Sequence, residues 1–171
     1  KWWRRLLDKA ASLGKQLYQA LTLWLKRPGS LLASADEIEI KVRGRGGHAS
    51  MPHDALDPIP VACEIVTAIQ VFVTRRVNIF DPAVVTIARI EGGSTDNVIP
   101  ETAGLLGTIR TLSEEARERV HEGIRRVAEN VARAHECEAD VVVERGFPVT
   151  VNDARAVALA EGAIAGLFGA Q

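Results

Sequence analysis

The seven residues Glu37-Ile38-Glu39-Ile40-Lys41-Val42-Arg43 alternate without exception between charged and apolar. Strand side chains point to opposite faces with a period of two, so Ile38, Ile40 and Val42 line one face and the charges line the other. This is a half-buried strand of an antiparallel sheet, and something apolar must cover its inner face.

The cover comes from helical stripes on either side of further strands. Asp57 can cap a helix with Pro58 at its first position, and Ala62, Ile65, Val66, Ile69, Phe72 and Val73 fall on one side of it. Val84 to Ile90 reads as a second strand, residues 91 to 96 as a turn, and Gly104 to Thr111 as a third strand. Ser113 then caps a second helix, with Glu114 and Glu115 at its positive end and Val120, Ile124, Val127, Val131 and Ala134 inward. Ala139 to Glu144 is a fourth strand, and Pro148 lies in the loop beyond it. Residues 153 to 168 form a final helix with Val157, Ile164, Leu167 and Phe168 inward. The order from residue 37 is β-α-β-β-α-β, an α+β fold of the ferredoxin-like two-layer sandwich type with added N- and C-terminal helices.

The domain reading is an appended amphipathic helix over 1–27, an α+β domain over 28–153, and a C-terminal helix over 154–171 packing on it. A chain of 171 residues, 47% apolar and 25% charged, suits one globular domain plus such an appendage. Trp3, Leu6, Leu7, Ala10, Leu13, Gly14, Leu17, Leu21, Trp24 and Leu25 recur at spacings of three and four. They form one apolar stripe, with Leu23 on the polar side, and Gly14 and Ala10 suit close packing of that stripe. Pro28-Gly29 ends the helix, and residues 31 to 36 read as a connector. Residues 1 to 27 carry seven Lys or Arg against Asp8 alone, so this +6 segment leaves −7 for the remainder of a chain of net charge −1.

Several function classes are disfavoured by local pattern. Charged residues interrupt any signal-peptide core near the N-terminus, and no run reads as a transmembrane span. Cys63 and Cys137 lack metal or redox spacing and read as two buried free thiols of a reducing compartment. Gly44-x-Gly46-x-x-Ala49 matches a loose dinucleotide fingerprint, but Met51-Pro52 and Pro58 postpone the helix that the motif needs. His48 and His53 lie in the same loop without a convincing set of metal ligands, and a lone loop histidine usually bonds within its own loop. His121 and His135, on or at the end of the second helix, need no functional role.

Several motifs in order nevertheless point to a family. Arg27-Pro28-Gly29, residues 31–36, the Gly44 to His53 stretch, Gly92-Gly93 through Asn97-Val98-Ile99-Pro100-Glu101, and Gly107 to Thr111 resemble the dimerisation, or lid, domain of dizinc amidohydrolases of the aminoacylase, carboxypeptidase and hippurate-hydrolase class. The resemblance covers about residues 28–153, and residues 152–169 resemble the chain's return into the catalytic domain. It implies that His48 reaches the other subunit's active site to stabilise an oxyanion. It also implies that Asn97 binds substrate, that Arg110 binds the substrate carboxylate, and that the parent enzyme is cytoplasmic. A donor aimed at developing negative charge contributes about 3 to 4 kcal/mol. The family's metal-binding segments have no counterpart in these residues, so the expectation is no catalysis, no resident metal and no cofactor.

Residues 1–26 do not resemble the family. Leu7-Asp8-Lys9-x-Ala11-Ser12-Leu13 and Leu23-Trp24 resemble the membrane-proximal helix of the HIV envelope transmembrane subunit, and the regular stripe looks engineered. The leading functional expectation is therefore a non-catalytic epitope scaffold. Its lid domain would display Arg5, Ser12, Gln16, Leu23 and Arg27 to a protein partner such as an antibody. The alternatives are an isolated lid domain that self-associates through a sheet edge, and a cationic helix bound to a membrane surface, with packing of the helix on the domain favoured over membrane binding. No nucleic-acid partner is expected.

Overall fold

The computed structural model describes residues 28–168 together with Leu13 and Gln16. The N-terminal helix expected over 2–25 otherwise lies outside the described residues, as do Arg5, Ser12, Leu23 and Arg27. Leu13 and Gln16 are both helical. Leu13, expected on the inward stripe, is 69% exposed.

The chain divides into two compact units, one of residues 33–149 and one of residues 1–32 with 150–171. In chain order the elements are β1 (Gly29–Leu32), β2 (Ala35–Arg43), β3 (Gly47–His48), α1 (Pro58–Arg76), β4 (Ala83–Gly92), β5 (Val98–Ile99), β6 (Thr102–Thr111), α2 (Glu114–Ala134), β7 (Glu138–Phe147), β8 (Thr150–Asn152) and α3 (Ala154–Phe168). One turn of 3-10 helix, Pro52–Asp54, precedes α1.

In the 33–149 unit, β4, β6, β2 and β7 form an antiparallel sheet in that order, with β4 and β7 at its edges. This is the ferredoxin-like strand order, and α1 and α2 pack on one face. The alternation in β2 is realised residue by residue: Ile38, Ile40 and Val42 are buried while their neighbours are exposed. They meet Val61, Ile65, Ile69 and Phe72 of α1 and Val120, Ile124 and Ala128 of α2 in one apolar cluster. Both expected caps form, with Asp57 Oδ1 accepting from the Ile59 N–H at 3.0 Å and Ser113 Oγ from the Ala116 N–H at 3.0 Å. Phe72 closes the two helices onto each other over Gly123, where a Cβ would lie 1.9 Å from the ring.

The sequence expectations need correction at four places. Residues 31–36 are not a plain connector, because β1 pairs with β8 and β2 begins at Ala35. On α2 the inward stripe runs through Ala128 and Ala132, and Ala134, expected inward, is exposed at the last turn. Cys63 is exposed because Ala62 and Ile65 take the inward positions of α1, whereas Cys137 is buried and free. Burial, with the Asp57 and Glu136 charges, pushes the Cys137 thiol up from its ordinary value. Finally, α1 at 19 residues and mean hydropathy 1.3 is long and apolar enough to cross a membrane by length and composition. Its inward face is the domain core, so in this fold that hydropathy serves burial on the sheet.

In the other unit, β1 and β8 form a two-stranded antiparallel ladder. Asp153 Oδ1 accepts from the Arg155 and Ala156 N–H groups at the start of α3. Val157 and Ile164 are buried as expected, and the side chains of Leu167 and Phe168 lie outside the described residues.

Candidate functional site

The glycine-rich stretch after β2 starts no helix. It forms β3, which pairs with β5 so that Gly47 faces Ile99 and His48 faces Val98. Gly44 permits this path, because a Cβ there would lie 1.9 Å from the Leu56 carbonyl oxygen. Arg45 and Leu56 then exchange backbone hydrogen bonds at 2.9 and 2.8 Å, and the Ala49 N–H donates to the Asn97 carbonyl at 3.1 Å. The loops of His48 and Asn97, 49 positions apart in sequence, are thereby fastened side by side.

His48 is exposed, and its ring is oriented within its own turn. The Ser50 N–H donates to Nδ1 at 3.2 Å, and the Ser50 hydroxyl lies 2.8 Å from the same nitrogen. A backbone N–H can only donate, so Nδ1 is the acceptor and the neutral ring carries its proton on Nε2. The ring thus presents an outward N–H. Asn97 is also exposed; the single proton of the Thr95 hydroxyl is shared between Asp96 Oδ1 at 3.1 Å and Asn97 Oδ1 at 3.3 Å, and the Asn97 amide NH₂ has no hydrogen bond among the described residues. The structure therefore brings together two donors on one rim. A concavity of about 450 Å³ nearby, lined by Glu39, Lys41, Ser94, Val98 and Pro100, includes neither of them.

Arg110 is not part of that rim. It lies at the far end of β6, paired with Val84 of β4, whereas the rim adjoins the end where Ala103 pairs with Gly92. Seven strand positions separate Ala103 from Arg110, about 23 Å at 3.3 Å per residue. Arg110 is half-buried, and its Nη1 donates to the Ile109 carbonyl at 3.0 Å and the Asp36 carbonyl at 3.4 Å. Its Nε and Nη2 edge has no hydrogen bond among the described residues, which leaves one side of the fork for a carboxylate.

Beneath Arg110, on the covered face, lies a polar cluster that the sequence reading did not identify. Asp36, fully buried, accepts from Arg117 Nε at 2.8 Å, from Arg117 Nη2, from His121 Nε2 at 2.9 Å and from the Gly146 N–H at 3.1 Å. Burial acts to raise the Asp36 carboxyl, but these donors and the Arg117 charge outweigh it and hold the group below its usual value. The bond to Asp36 raises the Arg117 guanidinium. Ser34 and Thr111 bond each other beside the cluster at 2.8 Å. Its members are 81 and 85 positions apart in sequence, so no local spacing could reveal it.

Of the expected partner-binding residues, only Gln16 is described, and it is exposed. His53 lies 3.8 Å from Asp54 at the surface, and His135 bonds Glu64 at 2.7 Å. Among the described residues no three His, Cys, Asp or Glu side chains converge in a way that could hold a metal ion.

Residues 33–136 match the family model described as the peptidase dimerisation domain. An N-acetyldiaminopimelate deacetylase of Geobacillus sp. is 44% identical over 127 residues, which cover 74% of this chain and 34% of that protein. An N-acetylcysteine deacetylase of Bacillus subtilis is 40% identical over 127 residues, covering 74% of this chain and 33% of that protein. Among solved structures, a dinuclear metal binding peptidase from the M20 family of Bacillus subtilis superposes with a TM-score of 0.67 at 34% identity, over 82% of this chain and 34% of that one. The chain spans about one third of the length of the curated relatives it matches.

Proposed function

We propose, because this chain belongs to the peptidase dimerisation-domain family, that it acts as the dimerising lid of a hydrolase of N-acyl amino acids, and that two copies assemble each substrate site. The relatives named as N-acetyl amino acid deacetylases support the substrate class. In this reading, His48 Nε2–H and the Asn97 amide donate to the acyl oxygen as negative charge develops on it, and Arg110 holds the substrate carboxylate. The described residues supply no cage for a dinuclear centre, so no step through metal is assigned to them. The chain alone is non-catalytic in this proposal.

One observation carries the two-copy reading: Arg110 lies about 23 Å along β6 from Ala103, at the end of the strand that adjoins the rim of His48 and Asn97. Edge strand β4 offers a way to close that gap. It exposes Val84, Ala88 and Ile90 beside the paired charges of Arg89 and Glu91, and its Val85 carbonyl accepts from Gln70 Nε2 at 3.2 Å; the other edge, β7, carries Glu138, Asp140 and Glu144 beside an exposed Val142. Antiparallel pairing of β4 with its own copy, about a twofold axis normal to the sheet, sets the Val84 end of one copy beside the Gly92 end of the other. Arg110 of one copy then approaches the partner's rim across two or three strand spacings of about 4.8 Å.

Sedimentation equilibrium tests this. We expect a dimer that Ile90→Lys converts to a folded monomer; a dimer indifferent to Ile90→Lys would exclude the β4 edge. The epitope-scaffold reading of residues 1–27, with its antibody partner and its resemblance to the HIV envelope helix, finds no support in these relatives, and neither does membrane attachment.

A further inference from the structure

The two helices that cover the sheet leave a groove between them on their outer side. α1 turns one flank toward β4, where Gln70 bonds the Val85 carbonyl. Its opposite flank, with Glu64, Ala68 and Val71, faces Arg126 and Val127 of α2 across an open concavity of about 660 Å³. That size lies within the range of small-molecule sites, which are mostly apolar with a few placed polar groups. Val71 is 56% exposed there, although the inward stripe of α1 is already complete in Val61, Ile65, Ile69 and Phe72.

The charges along the groove are unequal. Glu64, at one end, is bonded by His135 at 2.7 Å. Arg76 stands twelve positions further along α1, about 18 Å away at 1.5 Å per residue. The guanidiniums of Arg76 and Arg126 have no hydrogen bond or ion pair among the described residues. His135 beside Glu64 and Gly123 beside Phe72 show that α1 and α2 run antiparallel. Helical side chains lean toward their own N-terminus, so Arg126 leans toward the Arg76 end and Arg76 leans back over the groove. Two guanidiniums without an acid thus share one end of a largely apolar groove, where an anion relieves their repulsion.

We propose that this groove binds an apolar carboxylate of the fatty-acid type, with its head between Arg76 and Arg126 and its chain along Val71, Ala68 and Val127. The planar guanidinium fork matches a carboxylate, and every methylene that leaves water adds to affinity. The groove lies on the flank of α1 away from β4, so the inference rests on neither the dimer nor the lid reading.

Nuclear magnetic resonance on this chain tests it. Dodecanoate, added below its micellar concentration to the isotope-labelled protein, should shift the amide resonances of Ala68, Val71 and Val127 to saturation. Reading these amides separates the groove from residues 1–27, which are themselves cationic and apolar by sequence. Arg76→Glu combined with Arg126→Glu should weaken that binding roughly tenfold or more, with the circular dichroism spectrum unchanged because both side chains are exposed. Val71→Asp should weaken it as well, by placing a charge beneath the chain. Dodecyltrimethylammonium, with the same chain and the opposite head, should leave the three amides unmoved. Equal affinity in the double arginine variant, equal shifts from the cationic analogue, or no shift at these amides in millimolar dodecanoate would each overturn the proposal. So would saturable shifts from an acidic Leu/Glu amphipathic peptide with none from dodecanoate, which would make the groove a protein-docking site instead.

Discussion

The two ends of the four-stranded sheet use polar residues in opposite ways. At one end Asp36, Arg117 and His121 are buried and bonded to one another, and among the described residues no buried side-chain polar atom lacks a partner. At the other end His48 and Asn97 are exposed, each bonded to a neighbour two residues away, and each with a donor left over. Polar groups at the first end satisfy themselves and contribute to stability. Those at the second keep donors without a partner among the described residues, and these are the donors to which the proposed function assigns a ligand.

This contrast is most exposed to test at Asp36. Asp36→Ala leaves Arg117 charged, buried and without its main partner, and should cost about 3 to 5 kcal/mol in denaturant unfolding. A loss below about 1 kcal/mol would erase the distinction between the ends. The same carboxylate sets a pH dependence. Its folded value lies below its unfolded one, so its stabilising contribution is complete above the ordinary carboxyl range near about pH 4 and is lost as pH falls through the lowered folded value. Unfolding free energies measured from pH 7 to pH 2 should fall more steeply for the parent chain than for Asp36→Asn; parallel curves would contradict the assignment.

Midway along α2, Gly123→Ala should cost about 1 to 3 kcal/mol by driving a methyl group into the Phe72 ring, and adding Phe72→Leu should recover part of it. Equal stability of Gly123→Ala and the parent chain would mean that the helices separate at little cost. Ser113→Ala removes both the α2 cap and the bond to Asp81, and should cost about 1 kcal/mol. The smallest effect belongs to the open end. His48→Ala should change stability by no more than about 0.5 kcal/mol, because the ring is exposed and bonds only within its turn. A loss above about 1 kcal/mol there would show that the rim holds the fold together as well as facing outward.

How much was legible in the sequence follows the same division. His48 and Asn97 stand in short motifs whose glycines and turns are local, and their residue types could be read from the chain alone. Their proximity could not, because it depends on the β3–β5 ladder and the Ala49 to Asn97 bond. The sequence reading places Asp36 in a connector and His121 on the second helix without a role, since nothing within several residues of either announces a buried partner more than eighty positions away.

The sequence by itself determined the βαββαβ order, both helix caps and the inward faces of β2 and α1, because periods of 2 and 3.6 and capping side chains act over a few residues. Only the tertiary structure decided that Arg110 stands seven strand positions, about 23 Å, along β6 from Ala103 at the rim's end, that an aspartate and an arginine share the buried end, and that β4 is an edge strand of the sheet among the described residues. Those facts follow from how strands are ordered in the sheet, and the ordering is set by contacts between segments remote along the chain. Local periodicity carries no information about such contacts.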